Sequence, residues 1–298
     1  MLSAEDASSG PLRTRLSAAE ADVVILYGGD QRGSMDVCGC EHRQLGSLAR
    51  VESYRRAVEK TGVPVVLVNG GGFLDDGLAP DGGLRPDVSI ADAGMVEGLR
   101  RGAWVAWNVG LQDLPWFAWQ GWAPEAVSAN LDGPGDVVPW RIVAAGDLDV
   151  AVTGVAGAAS GEGPVDGWTV ADPVEAVTEA LATVPPADLV VVLAWRPGRA
   201  ARPLARLPGV DVLIEVGADP GRHPPMWEGQ AVWVRAYEQT TRLGELRLDL
   251  AHGTVIAATD RRIDLDAAIP SDPGLRRLQS RTRRAVDEAR VGERAGSW

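Results

Sequence analysis

The sequence predicts an α/β fold, because short apolar runs of strand length alternate with segments of helical periodicity. The apolar runs are residues 21–27, 63–68, 103–107, 148–155, 189–193 and 210–214. Several of them follow an amphipathic segment, and this order is typical of crossover units on a largely parallel sheet. A chain of 298 residues of this class can form one compact domain.

Three segments show clear helix signals. A helix is predicted over residues 48–60, closed by Thr61-Gly62, and another over residues 174–183. The second follows Asp172-Pro173, which supplies an N-cap carboxylate and a proline in the first turn. An Arg-rich helix is predicted over residues 273–290 and closes the chain.

The C-terminal third also contains strand and loop signals. Residues 231–235, 243–250 and 254–258 are predicted to be consecutive antiparallel strands, with His252-Gly253 as a tight turn. Gly and Pro are frequent at residues 70–83 and 132–135. Such stretches are typical of long loops at strand ends, where binding and catalytic residues are usually found.

The domain organisation is predicted to be simple. Residues 1–20 are interpreted as a polar leader, for which disorder is one expectation. Residues 21–298 are interpreted as one domain that ends in the C-terminal helix, since no repeat or linker interrupts them. The first residues lack the apolar stretch of a secretory signal, so the chain is expected to be cytoplasmic as written, with an exported form left open.

The charge and hydropathy of the chain exclude two classes of partner. The formal net charge of -12 at pH 7 repels phosphate backbones and anionic lipids wherever no local basic patch compensates. No apolar run approaches the roughly 20 residues that a membrane-spanning helix needs. We therefore expect neither nucleic acid binding nor a membrane span.

Several motifs follow the order and spacing of a known domain. The first strand and its loop read Val24-Ile-Leu-Tyr-Gly-Gly-Asp-Gln-Arg-Gly33, a helix start reads Leu45-Gly-Ser-Leu-Ala-Arg50, and a later strand contains Ser-Ala-Asn-Leu131. From about residue 22 to residue 272, the chain resembles the metallophosphatase domain of the 5′-nucleotidase branch of the calcineurin-like metallophosphoesterases. The resemblance omits the second domain of full 5′-nucleotidases and implies a layered sandwich of central mixed β-sheets flanked by helices.

The resemblance also implies a dinuclear metal site, in which two cations activate water and neutralise a phosphoryl group. Most ligand positions of such a site are replaced here. Asp30 is kept, but Arg32 stands at the next His and Gly72 at the bridging Asp. In the simplest register of the third motif, Leu111 stands at the metal-binding Asn, Gln112 at the catalytic His and Asp113 at the acid, whereas a shifted register would use Asn108. In the last two motifs, Trp195 replaces one His, and Gly217 and Asp219 replace the other two. The degenerate positions are Asp30, Arg32, Gly72, Asn108, Gln112, Asp113, Trp195, Gly217 and Asp219.

Three carboxylates remain as candidate metal ligands, namely Asp30, Asp113 and Asp219. Trp195 would exclude ligands and Arg32 would repel a cation, so no cofactor is expected. The alternative is a divalent metal such as Mn, Zn, Fe or Mg. Asp30 could instead cap a loop amide, and Arg32 could pair with it through a charge-assisted hydrogen bond.

A thiol cluster lies in the loop between the first strand and the first long helix, with the sequence Cys38-Gly-Cys-Glu-His42. Cys38, Cys40 and His42 could ligate a metal, contact a haem-bearing partner, or cycle between dithiol and disulfide. They fall short of a closed zinc site and differ in spacing from a haem attachment motif. Alternatively, they form a structural disulfide or pack the loop as reduced thiols. A subgroup of 5′-nucleotidase relatives carries a similar Cys-Gly-Cys, which implies an inherited loop.

Tryptophan is unusually frequent, with eleven residues against two Phe and three Tyr. Trp116, Trp119 and Trp122 directly follow the degenerate third motif. They are expected mainly in the core, and an aromatic lid or partner-binding surface is the alternative.

These observations favour a metallophosphoesterase-like protein that has lost dinuclear-metal hydrolysis and binds a protein partner or small ligand. Its binding loops would be those around Asp30, Cys38 to His42 and Asp113 to Trp122. The first alternative is an active phosphoester hydrolase with a non-standard ligand set. The second is a thiol-based redox or metal-handling protein that uses Cys38 and Cys40.

Overall fold

The strands and helices are seen in a computed structural model, which describes residues 1–5, 12–16, 21–38, 44–78, 83–157, 167–217, 224–237 and 241–296. Within these ranges there are fifteen strands: β1 (Leu2–Glu5), β2 (Val23–Gly28), β3 (Val65–Asn69), β4 (Ala106–Asn108), β5 (Ala126–Val127), β6 (Leu131–Asp132), β7 (Trp140–Ala145), β8 (Leu148–Ala156), β9 (Thr169–Val170), β10 (Leu189–Trp195), β11 (Val212–Val216), β12 (Met226–Glu228), β13 (Ala231–Arg235), β14 (Arg242–Ala251) and β15 (Thr254–Asp264).

The same ranges contain seven α-helices and two short 3₁₀ turns. The helices are α1 (Leu12–Leu16), α2 (Leu48–Glu59), α3 (Pro86–Arg101), α4 (Leu114–Gln120), α5 (Pro173–Thr183), α6 (Ala201–Ala205) and α7 (Pro273–Gly296), and the turns are Leu111–Asp113 and Gly198–Ala200. The predicted cap of α5 is confirmed, because Asp172 Oδ1 accepts the backbone N–H groups of Val174 at 2.8 Å and Glu175 at 3.0 Å.

Two large sheets organise the described residues. The first has the order β1-β15-β14-β2-β3-β4-β5, in which β2 to β5 are parallel and β14 is antiparallel to both neighbours. The second has the order β12-β13-β11-β10-β8-β7, with four parallel strands between antiparallel edges. Strands β6 and β9 form a small antiparallel pair. Within each sheet, the loops that follow the parallel strands therefore leave from the same edge of the sheet.

The core shows how the layers stack. One cluster of buried side chains joins both sheets, for example Leu67 with Leu193, and β4 packs against β8 and β10. A second cluster joins Val192 and Leu213 to Val177 of α5 and Leu204 of α6. On the first sheet, α2 contacts β3, and α7 packs along α3 and α2. This arrangement confirms the predicted layered sandwich of mixed sheets flanked by helices.

One expectation about the C-terminal strands was wrong. The strand at residues 231–235 is not an antiparallel neighbour of β14, since β13 lies in the second sheet and runs parallel to β11. Within residues 1–20, β1 pairs with β15, and Arg15 of α1 is buried, donating to Asp264 O at 2.6 Å and Asp266 Oδ2 at 2.7 Å. None of the described helices combines the length and apolar character needed to cross a membrane.

Candidate functional site

The candidate site lies where strand-end loops from the two sheets meet. Val216 at the end of β11 packs against glycines that follow β2 and β3, and a Cβ on Gly29 would lie only 2.5 Å from Val216 Cγ1. Gly70 is approached by the same side chain. Because side chains at these two positions would collide with Val216, the glycines allow the loops of the two sheets to come this close.

Asp30 and Arg32, in the loop after β2, form a bidentate ion pair. Arg32 Nε donates to Asp30 Oδ1 at 3.2 Å and Arg32 Nη2 donates to Asp30 Oδ2 at 3.0 Å. The Asp30 side chain is buried, whereas that of Arg32 is 51% exposed. The predicted pairing is therefore confirmed, and it occupies both carboxylate oxygens of the one residue kept from the first metal motif.

Asp113, in the loop after β4, holds the neighbouring loop through the backbone. Its Oδ2 accepts the N–H groups of Gly72 at 2.9 Å and Gly110 at 2.7 Å, and its Oδ1 accepts that of Leu74 at 2.8 Å. Burial raises the pKa of Asp113 to about 7 against the opposing effect of these hydrogen bonds. The carboxyl group thus serves as an acceptor for three backbone donors and holds the loop that contains Gly72 and Leu74.

The amides of Gln112 and Asn108 also bind backbone carbonyls. Gln112 Nε2 donates to Gly72 O at 3.0 Å and Leu74 O at 2.9 Å. Asn108 Nδ2 donates to Gly70 O at 3.0 Å and to Val155 O of β8 at 2.9 Å, so it links the two sheets. In both registers of the third motif, the side chain at the position of interest is therefore an amide that donates to the backbone.

Trp195 fills the space between the glycines of the first-sheet loops. Its side chain is fully buried, and a Cβ on Gly110 would lie 2.8 Å from the ring atoms Cδ2 and Cε2. A Cβ on Gly72 would lie 2.5 Å from Trp195 Nε1 and 3.2 Å from Asp30 Oδ1. The indole N–H and the Asp30 carboxylate therefore both lie next to Gly72, and Trp195 stands at a position where the resemblance implies a histidine ligand.

The degenerate last motif lies next to the indole. Gly217, with a φ of 70°, follows β11, and a Cβ there would lie 2.8 Å from Arg196 Cγ. The Arg196 guanidinium lies over the Trp195 ring, with Cζ 4.6 Å from the ring centroid, which adds a cation–π contact. Arg196, the second arginine near the site after Arg32, therefore packs on the indole.

Several predicted site residues lie outside the described part of the chain. These are Asp219, Cys40 and His42. Cys38 is described: it is half-buried, and its Sγ accepts the Leu45 N–H at 3.3 Å. The thiol cluster thus begins at the base of a loop closed by a bridge between Val37 and Gly46, and its redox and metal-binding roles stay predictions.

The tryptophans after the third motif divide between core and surface. Trp116 is buried and packs edge-on against Phe117 at 5.3 Å between ring centroids. Trp122 is half-buried and tilts against Trp168 at 5.7 Å. Trp119 of α4 is 69% exposed. The aromatic stretch is therefore mostly packing, with one indole presented at the surface.

The residues described here do not suit a pair of divalent cations. Both oxygens of Asp30 are paired with Arg32, and both oxygens of Asp113 accept backbone N–H groups. The indole N–H of Trp195 is a donor and has no lone pair for a metal. Among the described residues, no group of three His, Cys, Asp or Glu side chains is arranged to hold a metal ion.

A buried carboxylate that the sequence did not reveal lies beside the Arg32 loop. Asp92 of α3 is fully buried, its Oδ1 accepts the Asp75 N–H at 2.9 Å, and its Oδ2 has no hydrogen-bond partner among the described residues. Burial raises the pKa of Asp92 to about 8, with a further contribution from the Asp113 carboxylate. A helix position gives no sequence signal for such burial, because Asp is common on solvent faces.

Comparison with known proteins defines the class of fold. No protein-family model and no curated protein sequence matches this chain. The fold matches a 5′-nucleotidase precursor from Thermus thermophilus with a TM-score of 0.71 and 19% identity over 89% of this chain and 59% of that chain. It matches the sulfate thiohydrolase SoxB of Thermus thermophilus with a TM-score of 0.69 and 15% identity over 89% of this chain and 61% of that chain.

A third solved structure is covered by the match over nearly its whole length. The calcineurin-like phosphoesterase YfkN from Bacillus subtilis matches with a TM-score of 0.69 and 14% identity over 91% of this chain and 99% of that chain. The chain spans about three fifths of the length of the first two structures. At these identities the comparisons show the fold alone, and the chain has the fold of the calcineurin-like metallophosphoesterases.

Gly110→Ala tests the packing of the indole. The added Cβ would collide with the Trp195 ring, so we expect the free energy of unfolding to fall by about 1–3 kcal/mol. In a Trp195→Leu background, which lacks the ring, most of that loss should disappear in a double-mutant cycle of denaturant unfolding. Gly292→Ala, at a helix position with no atom near the added Cβ, is the control and should be neutral or slightly stabilising. An equal penalty in both backgrounds would contradict the packing.

Asp92→Asn tests the buried carboxylate through its pH dependence. The folded-state pKa of about 8 lies above the unfolded value, so this group's contribution to stability is complete below about pH 4 and is lost as pH rises towards 8. Asn mimics the protonated form, and the variant should be more stable than wild type by about 1–3 kcal/mol at pH 8 and nearly equal at pH 4. The measurement is urea unfolding between pH 4 and 8, with Asp132→Asn, at an exposed position, as control. A parallel profile for Asp92→Asn and wild type would contradict the assignment.

Proposed function

We propose that this chain is a non-catalytic protein with a metallophosphoesterase fold, which binds a protein partner or a small ligand through the loops at its strand ends. The observation that carries the proposal is the Trp195 indole, which lies against Gly72 and Gly110. A dinuclear phosphoesterase needs oxygen and imidazole donors around this space to hold its cations. An indole supplies none and excludes water from the same volume.

Electrostatics support the same conclusion. The guanidinium of Arg32 lies 3.0 Å from Asp30 Oδ2. The negative charge of Asp30 is therefore balanced by a side chain of the protein. A divalent cation at Asp30 would have to displace that guanidinium and then tolerate it nearby, and two like charges a few ångströms apart repel by several kcal/mol at a protein surface. The ion pair thus takes over the charge-balancing role of a metal.

The surface beside these loops supports a binding role. A groove of about 260 Å³ lies between the Arg32 loop and α7, and its lining includes Arg32, Ser34, Asp75 and Arg283. Polar and charged groups of both signs suit a small polar ligand or a polar segment of a partner. Trp119, on the helix after the third motif, is 69% exposed and is the kind of residue that anchors protein interfaces.

Two alternatives have less support. A hydrolase with a different ligand set would need at least two free ligand oxygens or nitrogens near Asp30. Both oxygens of Asp113 accept backbone N–H groups, and the amide oxygen of Asn108, which has no hydrogen-bond partner among the described residues, lies against Gly154 of β8. A thiol-based role would centre on Cys38 and Cys40, of which only Cys38 lies in the described residues. Bound metal that is lost on Cys38→Ser would favour that role.

Assays of metal content and hydrolysis test the loss of catalysis. The purified chain in excess manganese is expected to hold no stoichiometric metal by elemental analysis and to hydrolyse p-nitrophenyl phosphate or AMP no faster than buffer. Asp30→Ala and Arg32→Ala should leave any residual rate within about twofold. A manganese-dependent rate that Asp30→Ala removes, together with bound manganese, would establish the hydrolase instead.

Site-specific photocrosslinking tests the binding role. A photoreactive benzoylphenylalanine in place of Trp119 should cross-link one defined partner in cells of the source organism, because that exposed ring lies on α4, the helix that directly follows Asp113. The matched control carries the same group at Ile256 of β15, which is 53% exposed, and should not yield that product. Identical products from both positions, or none from Trp119, would argue against a protein partner at these loops.

A further inference from the structure

Helix α7 carries a basic surface that is separate from the candidate site. Arg276, Arg277, Arg281 and Arg284 line a groove of about 500 Å³ together with Ser271, Pro273 and Ser280. These residues recur at intervals of three and four, so they form one stripe along the helix. The opposite face of α7 is buried, with Leu275, Leu278 and Val286 in the protein interior.

The stripe holds unneutralised positive charge. Arg281 pairs with Glu97 at 2.9 Å, but Arg276, Arg277 and Arg284 are exposed and have no ion pair among the described residues. Among the described residues, no acidic side chain lines the groove. On a chain with a net charge of -12, this is a local reversal of sign, and it attracts an anionic partner at short range.

The dimensions of the stripe favour a short segment of chain as the occupant. Eight residues separate Arg276 from Arg284, which is about 12 Å along a helix axis at 1.5 Å per residue. About four residues of extended chain cover that length. A segment with several Asp or Glu residues can therefore place one carboxylate near each unpaired guanidinium.

The charge of the whole molecule disfavours extended anionic surfaces. A bilayer or a long nucleic acid that touched the stripe would also approach the acidic remainder of the chain, and repulsion acts over about 8–10 Å at physiological salt. A short peptide segment contacts the stripe alone. We infer that the arginine stripe of α7 is a docking site for an acidic segment of a partner protein.

Fluorescence anisotropy with labelled hexaglutamate tests this inference, with labelled hexaserine as the neutral probe. Wild-type protein should bind hexaglutamate selectively, with an affinity that falls as salt is raised. The triple variant Arg276→Gln, Arg277→Gln, Arg284→Gln should bind roughly tenfold more weakly. The control Arg199→Gln, Arg202→Gln, Arg206→Gln carries the same change in net charge at another surface and should stay within about twofold of wild type.

Thermal unfolding of both triple variants checks that they fold, and Arg277→Glu is a single variant that should by itself weaken binding about three- to tenfold. Equal losses in the two triple variants, or no preference of wild type for hexaglutamate over hexaserine, would overturn the inference. Stronger binding to phosphatidylserine vesicles or to single-stranded RNA than to hexaglutamate would also overturn it.

Discussion

The packing of one indole between backbone segments determines the character of the strand-end loops. Trp195 leaves β10 of the second sheet and lies against Gly72 and Gly110 of the first, where side-chain atoms would collide with its ring. Of these two glycines, Gly72 stands where the resemblance implies the bridging Asp. The indole fills this space. The nearby carboxylate of Asp30 pairs with Arg32, and that of Asp113 accepts backbone N–H groups.

The loops are held in place by polar contacts within the chain. Asp113 gathers three backbone donors, Gln112 binds two carbonyls of the same loop, and Asn108 joins the two sheets. In a metal centre, the cations themselves would draw such loops together. Here side chains perform that structural task, because they hold these loops through hydrogen bonds within the chain.

Much of this arrangement was accessible from the sequence, and the reasons for the exceptions are physical. The ordered motifs predicted the layered fold. The replacement of a ligand His by Arg32, next to the kept Asp30, led to the hypothesis that the two side chains pair. Helix α3 was not predicted, because its buried face includes Asp92, Gly94 and Gly98, which leave no regular apolar period. The approach of Val216 to the first sheet and the parallel placement of β13 depend on contacts between distant segments, which single-sequence patterns do not contain.

Anomalous diffraction at the manganese edge, from crystals grown in excess manganese chloride, measures metal occupancy at the strand ends directly. If Trp195 and the Asp30–Arg32 pair exclude the cations, the anomalous map will contain no peak between Asp30 and Asp113. Two peaks a few ångströms apart, within coordination distance of those carboxylates and with Arg32 swung away, would show that the centre binds metal after all.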